Sequence, residues 1–372
     1  MRRNVNKAYR FRIYPDKKQE EMLAKTFGCC RFLYNIMLED KIKEYKATKK
    51  MLKNTPAQYK KQFPWLKEAD SLALANVQLH LETAYKNFFR DPKIGFPKFK
   101  SKHRSTNSYT TNVVNGNIRL EKGRLKLPKM TTLKVKQHRD IPAGYKLKSV
   151  TVSREPSGKY YASLLYEYAA DENQAVVKKI KDEYKILGMD YAMSGMAVFS
   201  DGTRNEYPSY YKKAEKRLTR EQRKLSKCVR GSQNYQKQKK KVALCHEKVR
   251  NQRKDYHHKL SRKIADTYDA VAIEDLNMKA MSQCLNLGKG VMDNGYGMFL
   301  NQLEYKMKDR GKEFVKIDRF YPSSKKCSRC GNVKEHLELS ERIYICECGN
   351  RMDRDVNAAI NIREEGKRII CA

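Results

Sequence analysis

Two cysteine pairs near the C-terminus constrain this chain most. Cys327 and Cys330 form a C-x-x-C-G pattern, and Cys346 and Cys348 form a C-x-C-G pattern after fifteen intervening residues. Two pairs at this separation predict a tetrahedral zinc site of the ribbon type with four cysteine ligands. His336 is an alternative ligand, and its simpler interpretation is an exposed loop residue. Because four thiolates leave no open coordination position, the zinc is expected to be structural.

The charge of the chain points to a polyanionic partner. Its 372 residues include 80 Lys and Arg against 42 Asp and Glu, a formal net charge of +38. Self-repulsion at this charge opposes compaction, whereas phosphates neutralise it and release counterions. We therefore expect nucleic-acid binding. No apolar run approaches the ~20 residues of a membrane span, so we expect no membrane partner and an intracellular location.

The first half of the chain predicts strands interrupted by helices. Residues 9–13 alternate like a strand, and residues 22–38 and 74–88 carry apolar side chains at helical spacing. Between about residues 105 and 168 the period changes to two, with turn signals such as Lys122-Gly123. Several short strands with such turns predict a small β-barrel into which the helices are inserted.

The second half predicts a mixed sheet that carries acidic residues. Apolar strands are expected at residues 186–190, 196–200 and 203–207, and further strands at 271–274 and 314–317. Between them, two basic helices are expected to join near Gly231. A last helix is expected to begin around Asp355 and end at about Glu365. Three strands in a hairpin arrangement, with a further strand beside the first, are the layout of an RNase H-like core.

Three carboxylates occupy unusual places in this layout. Asp190 and Glu274 each end an apolar strand, and Asp355 opens a helix. Gathered together, they could hold two Mg²⁺ ions about 4 Å apart for phosphodiester hydrolysis. Each also has a simpler interpretation, as the start of a turn, the first exposed position after a strand, or a helix N-cap. Asp275 and Asp353 are close competitors that periodicity does not exclude.

Two regions are candidate nucleic-acid contacts. Residues 95–100 interleave phenylalanine with lysine, a mixture that can stack bases and neutralise phosphates. The alternative is a loop whose phenylalanines pack onto the helices. The predicted helical hairpin has a basic surface that is either a solvated face or a contact with a nucleic-acid backbone. Its members are Lys237, Lys239, Lys240, Lys241, Arg250, Arg253 and Lys254.

The motifs of the chain, taken together, resemble the TnpB family of nucleases, which bacterial insertion sequences carry and which are related to compact type V CRISPR effectors. The resemblance runs almost end to end. Its motifs lie at residues 9–15, 31–35, 95–99, 188–190, 273–276, 321–331 and 353–359.

This resemblance implies an RNA-guided endonuclease that cuts double-stranded DNA beside a short adjacent motif. The guide RNA would come from the transposon end, and pairing rather than protein would read the target sequence. The catalytic triad would be Asp190, Glu274 and Asp355, because the family's last carboxylate stands two residues before the Asn of the Asn-Ala-Ala run. The protein would act as a monomer on one RNA in a bacterial or archaeal cytoplasm, associated with the nucleoid.

The implied fold is multidomain, an α/β RuvC nuclease core plus a β-barrel. It comprises a wedge-like β-barrel (1–15 and 104–178), a helical recognition insertion (16–103), a RuvC nuclease of RNase H-like fold (179–326 and 352–366), an inserted zinc ribbon (327–351) and a C-terminal tail (367–372). The candidate nucleic-acid contacts are Arg31, Tyr34, Lys98, Lys100, Lys239, Lys240, Arg250 and Arg253.

Two other functions remain open at this stage. A guide-RNA-dependent repressor that binds DNA without cutting would keep the charge and the barrel but lose a carboxylate, and here all three are present. A DNA-strand transferase would need a transferring nucleophile, and no tyrosine or serine constellation suggests one.

Overall fold

The computed structural model describes residues 2–102, 105–171, 184–193, 195–284, 288–338 and 340–372. The chain divides into two compact units, Met1–Asp171 and Glu172–Ala372. The predicted barrel segment 104–178 therefore crosses the unit boundary, and its last residues, 172–178, lie outside the described residues. In the described parts of the chain, no helix has the length and apolar character needed to cross a bilayer.

Two helices of the first unit lie where the apolar spacing predicts them, and a short helix between them was not predicted. They are α1 (Lys17–Thr48), α2 (Pro56–Gln62) and α3 (Ser71–Arg90), with 3₁₀ turns at Pro64–Glu68 and Pro92–Ile94. Asp16 and Gln19 form a reciprocal capping box that starts α1. Helix α1 extends beyond the predicted apolar stretch at residues 22–38 in both directions and ends at Thr48.

A seven-stranded sheet packs with these helices in the first unit. Its strands follow the order β2-β6-β7-β1-β5-β4-β3. The predicted hairpin at Lys122-Gly123 joins β3 to β4. The sheet is curled, but within the described residues its edge strands β2 and β3 do not pair, so hydrogen bonds do not close it into the predicted barrel. The strands are β1 (Arg2–Tyr14), β2 (Asn107–Asn112), β3 (Arg119–Glu121), β4 (Arg124–Lys126), β5 (Leu133–Lys136), β6 (Lys146–Arg154) and β7 (Tyr160–Asp171).

A four-stranded mixed sheet forms the centre of the second unit. Its strands are β8 (Ile186–Ala192), β9 (Met196–Phe199), β10 (Ala270–Glu274) and β11 (Glu313–Ile317), in the order β11-β10-β8-β9. Strand β10 runs parallel to β8 and β11, and β9 runs antiparallel to β8. The pairing of β8 with β9 and the position of β10 beside β8 are as predicted, whereas the sequence predicted β11 as a strand without a place in the sheet.

The predicted strand at residues 203–207 is wrong as a regular strand. In the described structure it is reduced to one bridge between Val198 and Arg204. The Tyr207 hydroxyl donates a 2.6 Å hydrogen bond to the carbonyl of Asp293, which draws the chain away from the sheet. Pro208 follows and lacks the N–H that a ladder requires.

Six helices and a small hairpin complete the described part of the second unit. The predicted basic hairpin is confirmed as α4 and α5. The last helix runs to Cys371 rather than ending near Glu365, so residues 367–371 are helical and not a tail. The elements are α4 (Tyr210–Ser226), α5 (Gln233–Thr267), α6 (Met278–Cys284), α7 (Gly288–Asn294), α8 (Tyr296–Lys308), α9 (Arg354–Cys371), β12 (Ile343–Ile345) and β13 (Arg351–Asp353).

Helix α9 packs directly onto one face of this sheet. A Cβ placed on Gly188 of β8 would lie 2.0 Å from the carbonyl oxygen of Ala359, and one on Gly366 would lie 2.3 Å from the Cβ of Ala272. Neither position can carry a larger side chain at this spacing. The opposite face, with Leu187, Met189, Val271 and Ile273, packs against α8 in the main core of the unit.

Candidate active site and cysteine cluster

Asp190 and Glu274 lie side by side on the face that α9 covers. Met189 and Ile273 are register partners on the parallel strands β8 and β10, so the residues that follow them occupy equivalent positions. Adjacent strands lie about 4.8 Å apart, and side chains alternate between faces. Asp190 therefore lies on the same face of the sheet as Gly188, and Glu274 lies on the same face as Asp190.

Asp355 belongs to the same group of charges from the first turn of α9. Burial raises the pKa of Asp190 well above its ordinary value, and the negative charges of Glu274 and Asp355 raise it further. Burial also raises the pKa of Glu274. The structure thus places Asp190 within electrostatic reach of both Glu274 and Asp355. Among the described residues, the group whose ligand atoms lie close enough to hold one metal ion is the set of four cysteines described below, and not this triad.

The competing carboxylates have other roles. Asp353, not Asp355, is the N-cap of α9 and accepts hydrogen bonds from the N–H groups of Asp355 (3.0 Å) and Val356 (3.1 Å). The alternative of Asp355 as the cap is therefore wrong. Asp353 also forms a 2.5 Å ion pair with Arg204, whose other nitrogen lies 3.5 Å from Asp355.

Asp275 is likewise engaged elsewhere. Arg319 forms a 2.5 Å ion pair with its carboxylate and donates a 2.9 Å hydrogen bond to its carbonyl. Both competitors of the predicted triad are thus held in structural contacts with arginine.

Ser323 is a site residue that sequence reasoning missed. Its buried hydroxyl donates a hydrogen bond to Oε1 of Glu274, which favours the charged form of that carboxylate against the effect of burial. Asn361 of α9 fixes the segment by donating to the carbonyl oxygens of Ser323 (2.7 Å) and Lys326 (2.6 Å). The only sequence signal was the motif at residues 321–331, which carried no role for this hydroxyl.

A second group of residues that the sequence did not predict links β8 to the basic helical hairpin through hydrogen bonds and an ion pair. The Asn294 amide donates to the hydroxyl of Tyr191, the residue after Asp190, at 2.9 Å. The neighbouring Asp293 accepts the N–H of Tyr211 in the first turn of α4 at 2.9 Å and lies 3.6 Å from Arg253. Arg253, a predicted nucleic-acid contact, is partly buried in this ion pair, and its predicted role stays a prediction.

The four predicted cysteines converge on one point. The Sγ atoms of Cys327 and Cys348 lie 3.7 Å apart, and those of Cys330 and Cys346 lie 3.6 Å apart. Tetrahedral ligation at the usual Zn–S distance of about 2.3 Å requires sulfur atoms about 3.8 Å apart. The cluster therefore fits a tetrahedral ion. His336 is exposed and does not belong to it, as its simpler interpretation predicted.

The short C-x-C pair is accommodated by a shorter turn. In the first knuckle, Cys327 accepts from the N–H of Gly331 and donates to the carbonyl of Asn332. In the second, Cys346 accepts from the N–H of Gly349 and donates to the carbonyl of Asn350. The two knuckles thus share one hydrogen-bond pattern, and the second is one residue shorter.

The candidate nucleic-acid residues of the first unit are partly structural. Lys100 places its ammonium 4.0 Å from the centre of the buried Tyr34 ring, and Asn35 exchanges two hydrogen bonds with the backbone of Lys100. Arg31 donates to the side chain of Asn107 at 3.4 Å.

The adjoining loop keeps exposed aromatic rings. Phe96 packs edge-on against Tyr85 and Phe88 and is still 43% exposed, and Phe99 is 55% exposed. Lys98 between them is exposed. The loop therefore combines both interpretations. The ring of Phe96 packs onto a helix, and the rings of Phe96 and Phe99 both remain accessible to a partner.

The basic helical hairpin presents an accessible cationic surface. Lys239, Lys240 and Arg250 are exposed on α5. A groove of about 500 Å³ between α4 and α5 is lined in part by Lys213, Arg217 and Lys248, and sequence reasoning did not single out these residues.

Comparisons with known proteins agree with this architecture. Residues 163–285 match the family model described as "Probable transposase", residues 296–362 match "Cas12f1-like, TNB domain", and residues 1–50 match "Helix-turn-helix domain". Residues 1–50 fold as β1 followed by the single helix α1, not as two helices joined by a turn.

Similar proteins and a solved structure define the class. A solved Cas12f1–sgRNA–target DNA complex matches 97% of this chain and 99% of its own with a TM-score of 0.52 at 16% identity, so this chain shares the fold of such effectors. A Streptomyces pristinaespiralis protein named "Putative RNA-guided DNA endonuclease" is 32% identical over 98% of this chain and 90% of its own. InsQ of Escherichia coli K12, which carries the same name, is 30% identical over 98% of this chain and 93% of its own. The chain belongs to the TnpB family, as its motifs predicted.

Proposed function

We propose that this protein is an RNA-guided, Mg²⁺-dependent endonuclease that cleaves double-stranded DNA next to a short adjacent motif. The observation that carries the proposal is the electrostatic grouping of Asp190, Glu274 and Asp355 on one face of the central sheet. The strand order supports an RNase H-like core of the RuvC type. Association with an insertion sequence, a guide RNA from the transposon end, action as a monomer on one RNA and a nucleoid location belong to the same proposal.

The mechanism follows from what these side chains offer. Three carboxylates supply anionic oxygen ligands of the kind that Mg²⁺ prefers. When bound, two such ions supply Lewis-acid activation of the phosphodiester and of the attacking water. Ser323 orients Glu274 through its hydroxyl, and the close packing of α9 on Gly188 fixes the position of Asp355. Burial and the charges of Glu274 and Asp355 disfavour the charged form of Asp190, and a bound divalent ion would favour it.

The cysteine cluster is proposed to hold a structural Zn²⁺ ion. Its geometry supports this because four sulfur ligands complete a tetrahedron. Asn357 ties the cluster to α9, since its amide donates to the carbonyl of Lys326 at 2.7 Å and its oxygen accepts the N–H of Ser328 at 3.0 Å. The predicted boundaries of helical insertion, nuclease and ribbon form part of the proposal, with residues 367–371 added to the nuclease helix and the curled sheet β1–β7 in place of the barrel.

The decisive test compares neighbouring carboxylates in a plasmid-cleavage assay with matching guide RNA. The wild type should cut with Mg²⁺, and Asp355→Asn should lose cutting by several orders of magnitude while it retains guide-dependent binding. Asp353→Asn is the matched control, because asparagine caps a helix as well as aspartate does. Asp190→Ala should behave like Asp355→Asn.

Two outcomes would contradict this proposal. Normal cutting by Asp190→Ala would show that the triad is assigned to the wrong residues. A wild type that binds its target tightly without cutting would instead favour the guide-dependent repressor.

A further inference from the structure

Phe320 is an exposed aromatic residue beside the candidate active site. Its side chain is 87% exposed, more than any other large hydrophobic residue in the described parts of the chain. It stands three residues after Ile317, the register partner of Glu274 on the neighbouring strand β11. The ring therefore belongs to the carboxyl edge of the sheet, where the carboxylates gather.

The backbone around this ring is firmly held. Before it, Arg319 is bound to Asp275 through both its ion pair and its hydrogen bond to the carbonyl. The N–H of Phe320 itself donates to the Asp318 carboxylate at 2.7 Å. After it, Ser323 is bonded to Glu274. The loop is thus fastened on both sides of the ring to the two residues at the end of β10, and the exposure of Phe320 occurs in an anchored turn.

We propose that Phe320 stacks on a nucleobase of the single DNA strand that enters the carboxylate site. Every base offers a π-face to an aromatic ring, and such stacking tolerates any sequence. Exposed Lys316, which precedes the loop, suits a phosphate backbone, whereas the ammonium of Lys325 after the loop donates to the carbonyl of Glu335 at 2.8 Å. A lone ring is too small an apolar surface for a protein partner, which needs a contiguous patch. This role rests on the proposed function and deepens it, because it assigns the strand a contact next to the cut.

Fluorescence of 2-aminopurine tests the stacking directly. The guide-loaded protein is mixed with target DNA that carries 2-aminopurine at successive positions around the cut, with Ca²⁺ replacing Mg²⁺ so that the strand stays intact. Wild type and Phe320→Tyr should quench the fluorescence at one position. Phe320→Leu, which keeps an apolar side chain without an aromatic face, should restore it. In Mg²⁺, Phe320→Leu should cut roughly tenfold more slowly.

A control variant tests whether these effects are specific to Phe320. Val229→Ala removes another exposed apolar side chain, at the turn between α4 and α5, and should leave both readouts unchanged. If the wild type cuts but quenches at no position, or if Phe320→Leu quenches like the wild type, the stacking role is wrong while the nuclease stands. A wild type that fails to cut overturns the proposed function and this role with it.

Discussion

At the scale of single residues, Ser323 is expected to control metal binding through Glu274. Ser323→Ala removes a buried donor to a charged acceptor, an interaction of about 1.5–3 kcal/mol. The half-saturating Mg²⁺ concentration for cleavage should rise about tenfold. Binding of Mn²⁺ to the protein, measured by calorimetry, should weaken to a similar extent.

The neighbouring hydroxyl provides the control for Ser323. Ser324→Ala removes the same atoms one residue further along the chain and should change neither quantity. If both alanine variants bind Mn²⁺ like the wild type, the contact between Ser323 and Glu274 has no role in holding the metal.

Residues of the site differ in how far the sequence predicts them. Asp190 and Glu274 were predictable because each follows an apolar strand, and parallel strands bring their ends together. Ser323 was not, because it lies 49 residues from Glu274 and no periodicity identifies the partner of a single hydroxyl. Arg253 shows a different limit, since a basic run does not reveal which of its members also lies beside a carboxylate.

At the scale of elements, the contact between α9 and the sheet is expected to tolerate no added methyl group. Gly366→Ala gains up to about 1 kcal/mol of helix propensity, but its Cβ would lie 2.3 Å from that of Ala272. Overpacking costs about 1–3 kcal/mol, so the variant should unfold at a lower temperature and also cut more slowly.

A second glycine within a helix serves as a control, because its substitution changes helix propensity without changing the packing. Gly28 lies within α1, and no atom lies within 4 Å of the place where a Cβ would stand. Gly28→Ala should therefore raise the unfolding temperature slightly. Equal stabilisation by both substitutions would mean that α9 does not pack as closely as described.

Helix α5 carries a buried histidine that should make stability depend on pH. Burial lowers the pKa of His257 to about 4, and the ring bonds the carbonyl of Asn294 at 2.7 Å. As the pH falls from 6.5 to about 4, His257 becomes protonated in the unfolded chain but stays neutral in the folded chain. The free energy of unfolding should fall by up to about 3 kcal/mol over this interval.

Two measurements check this histidine. NMR of ¹³C-labelled imidazoles should show that His257 stays neutral down to about pH 4. His257→Gln should have a flatter dependence of unfolding temperature on pH, whereas His246→Gln, at an exposed position of the same helix, should keep the slope of the wild type. Titration of His257 near pH 6.5 would contradict the prediction.

Long helices were predicted from the sequence, and the shortest helices were not. Helices α1, α3 and α5 repeat their apolar positions over several turns, which fixes their type even where their ends move. Helices α6 and α7 have seven residues each, too few to establish a period. The position of α7 depends on contacts such as those of Asp293 and Asn294, which join segments about 80 to 100 residues apart.

At the scale of the whole molecule, the net charge of +38 predicts opposite salt effects on the free and the RNA-bound protein. Salt screens self-repulsion, so the unfolding temperature of the free protein should rise with ionic strength. Guide RNA should stabilise the protein most at low salt, and this gain should shrink as counterion release becomes less favourable. Calorimetry from about 50 mM to about 500 mM KCl should therefore show two unfolding temperatures that converge. Heparin is a polyanion that cannot pair with a target. The rise in unfolding temperature that heparin causes therefore measures the contribution of charge alone. If salt lowers the unfolding temperature of the free protein as steeply as that of the complex, self-repulsion is not what the RNA relieves.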